Sequence, residues 1–352
     1  MKIVLLAPSS SIHTQKWAKF LSESGHKVSI ITLDQDELKD VKTYRLNYPR
    51  LPLKLGYLFT VGQIKSMLRE INPDVMHAHY LSSYGLLARL SDFHPFVVSV
   101  WGSDIFNFPK ISPIHKKIIS DNLKKADFIT TTSNFMKVEI EKYLKEKEIK
   151  VIPFGVDTDL FKPGEVRPNN LFVIGTARSL REKYGLVYLI KAFERFVEKI
   201  PNSELQIAGK GLLERKLKDL SESLGLAGKV KFLGFLSQKE LAMKMRSWDV
   251  VVVPSIEESE SFGVIALEAS ASGKPVVASL IGGLRETVID GETGIMFEPK
   301  NDKDLYEKLL LLYKDESIRS RLGRDGRVFV EDKYDWKKTA PAMLEVYKKI
   351  VQ

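Results

Sequence analysis

The stretch that decides the fold runs from residue 260 to residue 283 and reads ESFGVIALEASASGKPVVASLIGG. Glu260 lies just before an apolar run, and Glu268 lies within that run. The spacing predicts a helix that begins near Gly263 and ends at Gly273, followed by a short buried strand. The first N–H groups of such a helix lack intrahelical partners and carry the positive end of the helix dipole. The stretch therefore predicts a turn that binds phosphate or sugar oxygens, with a carboxylate on each side of it.

Short apolar runs alternate with amphipathic stretches along the rest of the chain. The predicted strands of the first half cover residues 3–8, 28–33, 75–79, 96–101 and 128–133, and the predicted helices cover 14–24, 63–71, 83–90 and 114–125. The predicted strands of the second half cover residues 171–177, 205–209, 230–234, 250–255, 275–279 and 294–299. Strands that alternate with helices are typical of doubly wound parallel sheets, in which ligands bind at the carboxyl ends of the strands.

Length and composition indicate a globular protein with more than one domain. A chain of 352 residues is long for a single hydrophobic core, and the passage from 153 to 170, rich in Pro, Gly and Asn, is typical of a connector. Hydrophobic residues make up 44% of the chain and charged residues 28%, which excludes a disordered protein. The absence of cysteine excludes disulfides and thiolate metal sites, and the first ten residues are more typical of a strand than of a signal peptide. We therefore expect a cytoplasmic location.

The formal net charge is +9, and most of the excess lies in residues 1 to 155. This asymmetry favours attraction to an anionic membrane surface or a phosphorylated acceptor, although a lysine-rich surface without a partner is the simpler explanation. The predicted helix 114–125 is basic and amphipathic, with isoleucines among its lysines: Ile114, Lys116, Lys117, Ile118, Ile119, Lys124 and Lys125. Such a helix either rests on a membrane or packs its isoleucines inward as an ordinary surface helix.

The chain resembles the retaining family 4 glycosyltransferases, also called the group 1 transferases. Their signature, two glutamates with seven residues between them, matches Glu260 and Glu268. The other matching phrases are VIPFGVDTDLFKP from Val151, GTARSLREKYG from Gly175, LQIAGKG from Leu205, VKFLGFLS from Val230, GGLRETV from Gly282 and DGETG from Asp290. The resemblance implies the α/β GT-B fold, with two doubly wound, Rossmann-like domains facing across a cleft. The expected domains are an acceptor-binding domain at 1–160, onto which helix 336–352 packs back, and a nucleotide-sugar-binding domain at 161–335.

The resemblance implies a cationic clamp for the donor's diphosphate in the second domain. Arg178 follows the predicted strand 171–177 and therefore lies at its carboxyl end, and Lys183 comes five residues later. Residues in matching positions hold the diphosphate in the family. The family's Lys-Gly pair is interrupted here by Tyr184, which separates Lys183 from the next glycine.

The resemblance also implies roles for the two glutamates. Glu268 would accept hydrogen bonds from ribose hydroxyls, by the same logic as the acidic residue of dinucleotide folds. Glu260 would bind the transferred sugar and stabilise positive charge at its anomeric carbon. The sugar or phosphate would also contact the backbone N–H groups of Phe262, Gly263 and Val264.

The first domain departs more from the family. Many members have two glycines in the first loop, where this chain has serines, and the hydroxyls and amides of Ser10 and Ser11 are candidate donor contacts. Trp101 stands where related sequences have a histidine, so it either stacks on a sugar face or fills the wall of the site. His13 and Trp101 are candidates for the acceptor side.

Two further residues of the first domain are candidates for catalysis. His79 ends a predicted strand, and Asp104 keeps its family position, whereas His77 is expected to be structural. Because the family is considered to react by front-face displacement, no protein nucleophile is expected. The substrate would be a UDP-sugar or GDP-sugar without a further cofactor. Asp34-Gln35-Asp36 has the spacing of a metal-binding motif but is read as an exposed loop, so no metal is expected.

Other functions are weighed against this one. An NAD-linked oxidoreductase would need Gly-x-Gly-x-x-Gly after the first strand, where PSSSIH stands. A nucleic-acid-binding protein would show a continuous cationic face with exposed aromatic residues and would have lost the donor residues, so no nucleic acid is expected. A sugar-nucleotide epimerase, a phosphorylase, and a small-molecule glycosyltransferase or glycoside synthase of the same fold remain open. The expected acceptor is a saccharide or a polyprenyl-linked molecule.

Overall fold

The computed structural model describes residues 1–36, 38, 40–49, 52–164 and 171–352, without the side chains of residues 52–55. Residues 165–170 of the predicted connector therefore lie outside the described residues. The chain forms two compact units, one made of Met1–Phe154 with Ala340–Gln352 and the other of Gly155–Thr339.

The first unit is built on a seven-stranded sheet. Its strands are β1 (Lys2–Leu6), β2 (Lys27–Thr32), β3 (Lys42–Arg45), β4 (Val75–His79), β5 (Phe96–Val100), β6 (Phe128–Thr131) and β7 (Ile149–Val151). Its first six helices are α1 (Ile12–Glu23), α2 (Val61–Ile71), α3 (Ser83–Ser91), α4 (Ser103–Phe106), α5 (Pro113–Lys125) and α6 (Asn134–Glu141). Short 3₁₀ helices cover Pro52–Thr60 and Phe108–Lys110.

The strands of this sheet lie in the order β3-β2-β1-β4-β5-β6-β7, and every pair is parallel. The central strands are apolar on both faces because helices cover both sides of a doubly wound sheet. Leu5 pairs with Ile30 on one side and with His77 on the other, which places a polar side chain within the core of the sheet. The strand order reverses between β1 and β4, so the loops after these two strands border the crevice in which such sheets bind ligands.

The second unit is built on a six-stranded sheet. Its strands are β8 (Phe172–Ala177), β9 (Ser203–Ala208), β10 (Val230–Gly234), β11 (Val250–Val253), β12 (Val276–Ser279) and β13 (Gly294–Phe297). Its helices are α7 (Leu186–Lys199), α8 (Glu214–Ser223), α9 (Gln238–Met245), α10 (Val264–Ala271), α11 (Leu284–Thr287), α12 (Asp302–Lys314), α13 (Glu316–Lys333) and α14 (Trp336–Thr339). A 3₁₀ turn covers Glu182–Tyr184, and the last helix, α15 (Pro341–Val351), belongs to the first unit.

The second sheet is also parallel throughout, with the strand order β10-β9-β8-β11-β12-β13. Its order reverses between β8 and β11, which makes the ends of these two strands the expected ligand site. The core of this unit includes the fully buried indole of Trp248, whose Nε1 donates to Oε1 of Gln206 at 2.8 Å. The indole packs on Gly175, where any Cβ would overlap the ring, so the glycine in the GTARS phrase is a packing requirement.

The two parallel α/β sheets confirm the predicted fold class. The predicted closing helix at 336–352 is two helices, because Pro341 begins α15 after a break at Ala340. The first of these, α14, lies in the second unit, and the division between the units falls at Phe154/Gly155 and at Thr339/Ala340. Among the described residues, no helix is both long enough and apolar enough to cross a membrane.

Candidate active site

Three side chains meet at the reversal point of the second sheet. Arg178 follows β8 directly, and Ser255 follows β11 by two residues. Nη2 of Arg178 donates to Oγ of Ser255 at 3.0 Å, and that Oγ donates to Oε2 of Glu260 at 2.7 Å. The guanidinium of Arg178 also forms an ion pair with the same carboxylate oxygen of Glu260. Arg178, predicted to bind the diphosphate, and Glu260, predicted to bind the sugar, therefore contact each other directly and are also linked through Ser255.

The guanidinium of Arg178 is buried away from solvent and remains a cation. Burial lowers the pKa of Arg178 to about 10, while the neighbouring Tyr184 and the charge of Glu268 act to raise that pKa. The guanidinium is therefore charged at neutral pH. Its Nε is buried without a hydrogen-bond partner among the described residues, so one N–H donor is available for an acceptor.

The ring of Tyr184 contacts both residues that are predicted to be cations of the site, Arg178 and Lys183. Cζ of Arg178 lies 4.4 Å from the ring centroid, and Nζ of Lys183 lies 4.9 Å from it. Both distances are within the range of a cation–π interaction. The insertion that separates Lys183 from Gly185 therefore places an aromatic ring within reach of both basic side chains.

Helix α10 has the form that the opening stretch predicted. Gly263 is its N-cap with φ of +76°, and α10 has neither a side-chain cap nor an acidic residue in its first turn within the described chain. The ring of Phe262 is buried against Tyr334, so Phe262 faces a ligand only through its backbone. Val264 is the first helical residue, and Glu268 is 7% exposed one turn later. The first backbone N–H groups of α10 therefore have no side-chain cap among the described residues, and they lie near the charge of Arg178.

The loop of Gly282 and Gly283 supports this turn from the other side. The N–H of Gly283 donates to the carbonyl of Glu260 at 2.8 Å. A Cβ at Gly283 would lie 2.0 Å from the carbonyl oxygen of Ser261, and one at Gly282 would lie 2.3 Å from that of Glu260. Only glycine allows two backbones to approach this closely, so these glycines fix the position of Glu260.

The candidate residues of the first unit form an aromatic cluster at the reversal point of the first sheet. His13 stacks on Phe154 with ring centroids 3.9 Å apart, and Trp101 lies 5.8 Å from His13, 4.3 Å from His79 and 5.2 Å from Phe154. Trp101 is only 7% exposed. The burial of the indole favours the second of the two roles expected for Trp101, that of filling the wall of the site, over stacking on a sugar face.

The histidines of this cluster, and His77 next to His79, are neutral at neutral pH. Burial lowers the pKa of His77 to about 3, and burial together with the charge of Lys16 lowers that of His13 to about 4. Burial, followed by His77 and His13, places the pKa of His79 well below 6.5. Nδ1 of His79 lies 3.0 Å from Oγ1 of Thr14, whereas its Nε2 has no hydrogen-bond partner among the described residues.

Asp104 organises the loop between β5 and α4. Its carboxylate accepts hydrogen bonds from the N–H groups of Leu81 at 2.7 Å, Gly102 at 2.7 Å and Trp101 at 3.3 Å. Asp104 is 1% exposed, and burial raises its pKa although these hydrogen bonds act to lower it. The carboxylate therefore positions Trp101 and the loop around it, and we propose that role rather than direct chemistry.

The serines of the first loop differ from each other. Oγ of Ser10 donates to Oδ2 of Asp34 at 2.6 Å, and the N–H of Ser10 donates to the same oxygen at 3.0 Å. Because both groups of Ser10 are bound to a carboxylate, an anion would have to displace Asp34 to reach them. Ser11 is the N-cap of α1, and its side chain makes no capping hydrogen bond within the described residues. Ser11 is therefore the better placed of the two for a ligand.

The amino-acid sequence matches known families over most of its length. Residues 157–329 match the family described as Glycosyl transferases group 1, and residues 2–133 match the family described as Glycosyl transferase 4-like. A D-inositol 3-phosphate glycosyltransferase of Corynebacterium jeikeium is 30% identical over 337 residues, which cover 87% of this chain and 79% of the relative. The chain belongs to the group 1 glycosyltransferases.

Other relatives of this group 1 glycosyltransferase agree with that assignment. An uncharacterized glycosyltransferase of Methanocaldococcus jannaschii is 29% identical over 371 residues, covering 96% of this chain and 93% of the relative. Among solved structures, that of the Anabaena protein HepE in complex with UDP-glucose matches with a TM-score of 0.84 and 20% identity, covering 99% of this chain and all of HepE. This likeness identifies the fold as GT-B.

The structure of this group 1 glycosyltransferase brings the predicted site residues together in two groups. The second unit unites Arg178, Lys183, Glu260 and Glu268 with the turn at Phe262–Val264, and the first unit unites His13, His79, Trp101 and Asp104. Ser255 and Tyr184, which contact these residues, were not singled out from the sequence. The position of Ser255 after an apolar strand was a usable signal, as was the insertion of Tyr184 into the Lys-Gly pair. Groups of three or more potential metal ligands are absent from the described residues.

Proposed function

We propose that this group 1 glycosyltransferase transfers a sugar from a nucleoside diphosphate sugar to a saccharide or lipid-linked acceptor, with retention of configuration. The observation that carries the proposal is the contact of Arg178 and Glu260 with each other and with Ser255 at the reversal point of the second sheet. The diphosphate of a sugar nucleotide is bound by cations. Its sugar hydroxyls donate hydrogen bonds to a carboxylate. These residues supply one group of each kind in one place.

The cations stabilise the leaving diphosphate. Negative charge builds on the phosphate oxygen as its bond to the anomeric carbon breaks, and preorganised donors in a desolvated site stabilise that charge. Arg178 and Lys183 supply two positive side chains, and the uncapped start of α10 supplies backbone N–H groups. Because these groups take the role that a divalent cation has in other transferases, we propose that the reaction is independent of metal.

The two glutamates bind the two sugars of the donor. Glu268, on α10, accepts hydrogen bonds from the ribose hydroxyls. Glu260 accepts hydrogen bonds from the transferred sugar, and its negative charge stabilises the positive charge at the anomeric carbon. The diphosphate competes with Glu260 for Arg178, so donor binding frees the Glu260 carboxylate for the sugar.

Retention follows from attack on the face that the diphosphate leaves. The oxygen of the acceptor hydroxyl forms a bond to the anomeric carbon as the bond from that carbon to the phosphate oxygen breaks. The proton of the hydroxyl passes to an oxygen of the leaving phosphate. This route needs no protein nucleophile, and the side chains act by positioning and by electrostatic stabilisation.

The donor's base is proposed to be uracil, with guanine as the alternative. The likeness to HepE, whose structure contains UDP-glucose, supports the choice of uridine. The acceptor is bound by the first unit, where His13, Trp101 and His79 form the aromatic cluster. A small soluble acceptor is the second candidate, because the relatives include D-inositol 3-phosphate glycosyltransferases.

Calorimetric titration of the purified protein tests the donor site. UDP, GDP, ADP and NAD are titrated in the presence of EDTA into the wild type and into Arg178→Ala and Glu268→Gln. We expect tight binding of one nucleoside diphosphate, weakened at least tenfold in both variants. Arg195→Ala is the matched control, since Arg195 is an exposed arginine of α7 that pairs with Asp302. Unchanged binding in both site variants would refute the assignment of the donor site, and activity that requires a divalent cation would refute metal independence.

A lipid-linked acceptor would bring the first unit to an anionic membrane surface. Ile111, just before α5, and Ile114, in its first turn, are 64% and 71% exposed. The neighbouring Lys110, Lys116 and Lys117 are also exposed. Apolar side chains flanked by lysines are suited to the interface of an anionic bilayer. We expect co-sedimentation with vesicles that contain anionic lipid at low salt, reduced by the double variant Ile111→Asn/Ile114→Asn. Val138→Asn, at an exposed position of α6, is the control, and failure of the wild type to co-sediment would contradict this part.

A further inference from the structure

We propose that Tyr184 is a positioning residue that holds the guanidinium of Arg178 and the ammonium of Lys183 ready for the donor's diphosphate. This inference rests on the proposed function and names a residue that the motifs of the family do not include. It concerns how the two cations are kept in place by the tyrosine that is inserted between Lys183 and Gly185.

The ring contacts both cations at once. Cζ of Arg178 is 4.4 Å and Nζ of Lys183 is 4.9 Å from its centroid. The two positive groups are therefore no farther apart than the sum of these distances, which is a separation that the two phosphates of a diphosphate can bridge. The proximity of Tyr184 also acts to raise the pKa of Arg178, against the effect of burial.

The backbone fixes where the ring lies. Tyr184 ends the 3₁₀ turn Glu182–Tyr184, and the carbonyl of Lys183 accepts a hydrogen bond from the N–H of Ile256 at 2.8 Å. Gly185 follows with φ of +62°, and a Cβ there would lie 2.0 Å from the carbonyl oxygen of Pro254. The turn is thus attached to the loop after β11, the same loop that carries Ser255. The backbone that carries the ring is therefore fixed between the ends of the two strands that border the ligand site.

An aromatic ring suits this task better than a carboxylate. Lys183 forms no ion pair with any carboxylate among the described residues, and its long side chain would lose rotamer entropy on ordering at the site. A carboxylate would order Lys183 but would also neutralise it and compete with the diphosphate. The π face of Tyr184 attracts the ammonium and leaves its N–H donors available for phosphate oxygens. Arg178 differs in this respect, because it is also ion-paired with Glu260, which the diphosphate has to displace.

The test compares ligands that differ only in the diphosphate. UDP and GDP are titrated calorimetrically into the wild type, Tyr184→Phe and Tyr184→Leu, and uridine and guanosine are titrated by NMR into the same proteins. Tyr184→Phe keeps the π face, whereas Tyr184→Leu removes it. Tyr306→Leu is the matched control, because Tyr306 is a partly buried tyrosine of α12. Circular dichroism and thermal unfolding of each variant check that it is folded.

We expect Tyr184→Leu to weaken binding of the nucleoside diphosphate roughly tenfold and to leave binding of the nucleoside within about twofold. Tyr184→Phe and Tyr306→Leu are expected to bind the diphosphate within about threefold of the wild type. A merely structural role of Tyr184 would weaken the nucleoside and the diphosphate alike, and this result would overturn the inference. Equal losses in Tyr184→Phe and Tyr184→Leu, or no loss in either, would overturn it as well. A wild type that binds neither diphosphate would overturn the proposed function itself, so the two failures are distinguishable.

Discussion

The phenolic oxygen of Tyr347 lies 2.6 Å from Nδ1 of His77, and the two residues are 270 positions apart in the chain. This hydrogen bond joins α15 to the strand β4 in the middle of the first sheet. The other ring nitrogen, Nε2, lies 2.7 Å from Oγ of Ser99, so the imidazole uses both of its nitrogens. His77 and Tyr347 are almost fully buried. The returning helix is therefore held by a polar contact within the core and by its apolar side chains.

Removal of this hydroxyl is expected to destabilise the first unit. Tyr347→Phe leaves a nitrogen of His77 buried without its partner, which costs about 1–3 kcal/mol of the free energy of unfolding. Urea unfolding followed by circular dichroism measures the change, and binding of the nucleoside diphosphate by the second unit should stay the same. Tyr313→Phe, at a half-exposed position of α12, is the control. A loss no larger than that of the control would contradict a stabilising role for the hydrogen bond.

We expect the free energy of unfolding of the first unit to decrease as the pH is lowered, before the pH reaches the range in which carboxylates titrate. The pKa values of His13 and His77 are lowered to about 4 and about 3, and that of His79 is also lowered. The unfolded chain therefore binds more protons than the folded chain once the pH falls below about 6.5, the ordinary pKa of histidine. Each buried histidine then contributes a loss of up to about 1.4 kcal/mol per pH unit until the pH reaches its folded-state pKa. The raised pKa of Asp104 offsets part of this loss, since its protonation favours the folded state.

Unfolding in urea at pH values from 7.5 to 5 measures this dependence. The free energy of unfolding should decrease as the pH is lowered. In His77→Phe, the slope of this free energy against pH should be smaller than in the wild type by the amount that corresponds to about one bound proton. The slope rather than the absolute stability is the readout, because the substitution also removes two hydrogen bonds. An identical slope in both proteins would contradict the low pKa of His77.

Loss of the hydroxyl that joins Arg178 to Glu260 is expected to reduce catalysis. Ser255 is fully buried and bonds both residues, so Ser255→Ala leaves one donor and one acceptor of the site without this partner. We expect kcat/KM to fall roughly tenfold or more. Steady-state kinetics with the identified donor measure the effect, and Ser179→Ala, at an exposed position of the same loop as Arg178, is the control. Equal kinetics in the two variants would exclude Ser255 from the site.

A methyl group at Gly283 is expected to displace the loop that holds Glu260. The added Cβ would lie 2.0 Å from the carbonyl oxygen of Ser261, which only a shift of the backbone can relieve. Gly283→Ala should cost about 1–3 kcal/mol of stability and weaken binding of the nucleoside diphosphate. Gly62→Ala is the opposite control, because Gly62 lies in α2 with open space around it and alanine favours helices by about 0.5–1 kcal/mol. Undiminished nucleotide binding in Gly283→Ala would mean that the loop does not position the site.

The regular elements were predictable because they depend on local patterns. The buried strand Val250–Val253 is a continuous apolar run, and α10 is marked by a glycine at each end. The short strand Lys42–Arg45 was missed because it lies at the edge of its sheet, where its side chains stay partly exposed and polar. The break before Pro341 was also missed, although a proline is a usual first residue of a helix.

The motifs of the candidate site could be read from the sequence, but the contacts between its side chains could not. The resemblance pointed to Arg178 and Glu260, yet their ion pair and their shared contact with Ser255 depend on how β8 and β11 lie side by side. Ser10 was expected to face the donor, but Asp34 of the next loop binds it because β1 and β2 are neighbours. Contacts of this kind come from strand order, which no local pattern in the chain reveals.

The return of α15 to the first unit has a consequence for synthesis on the ribosome. The chain leaves the first unit after Phe154 and re-enters it at Ala340, so α15 emerges only after the whole second unit. Until then β4 contains an imidazole whose partner, Tyr347, has not yet been translated. Domains generally fold in the order in which they are synthesised, but here the second unit can complete its core before the first. A nascent chain stalled before α15 would therefore combine a finished second unit with an unfinished first unit, whose exposed apolar surface chaperones would recognise.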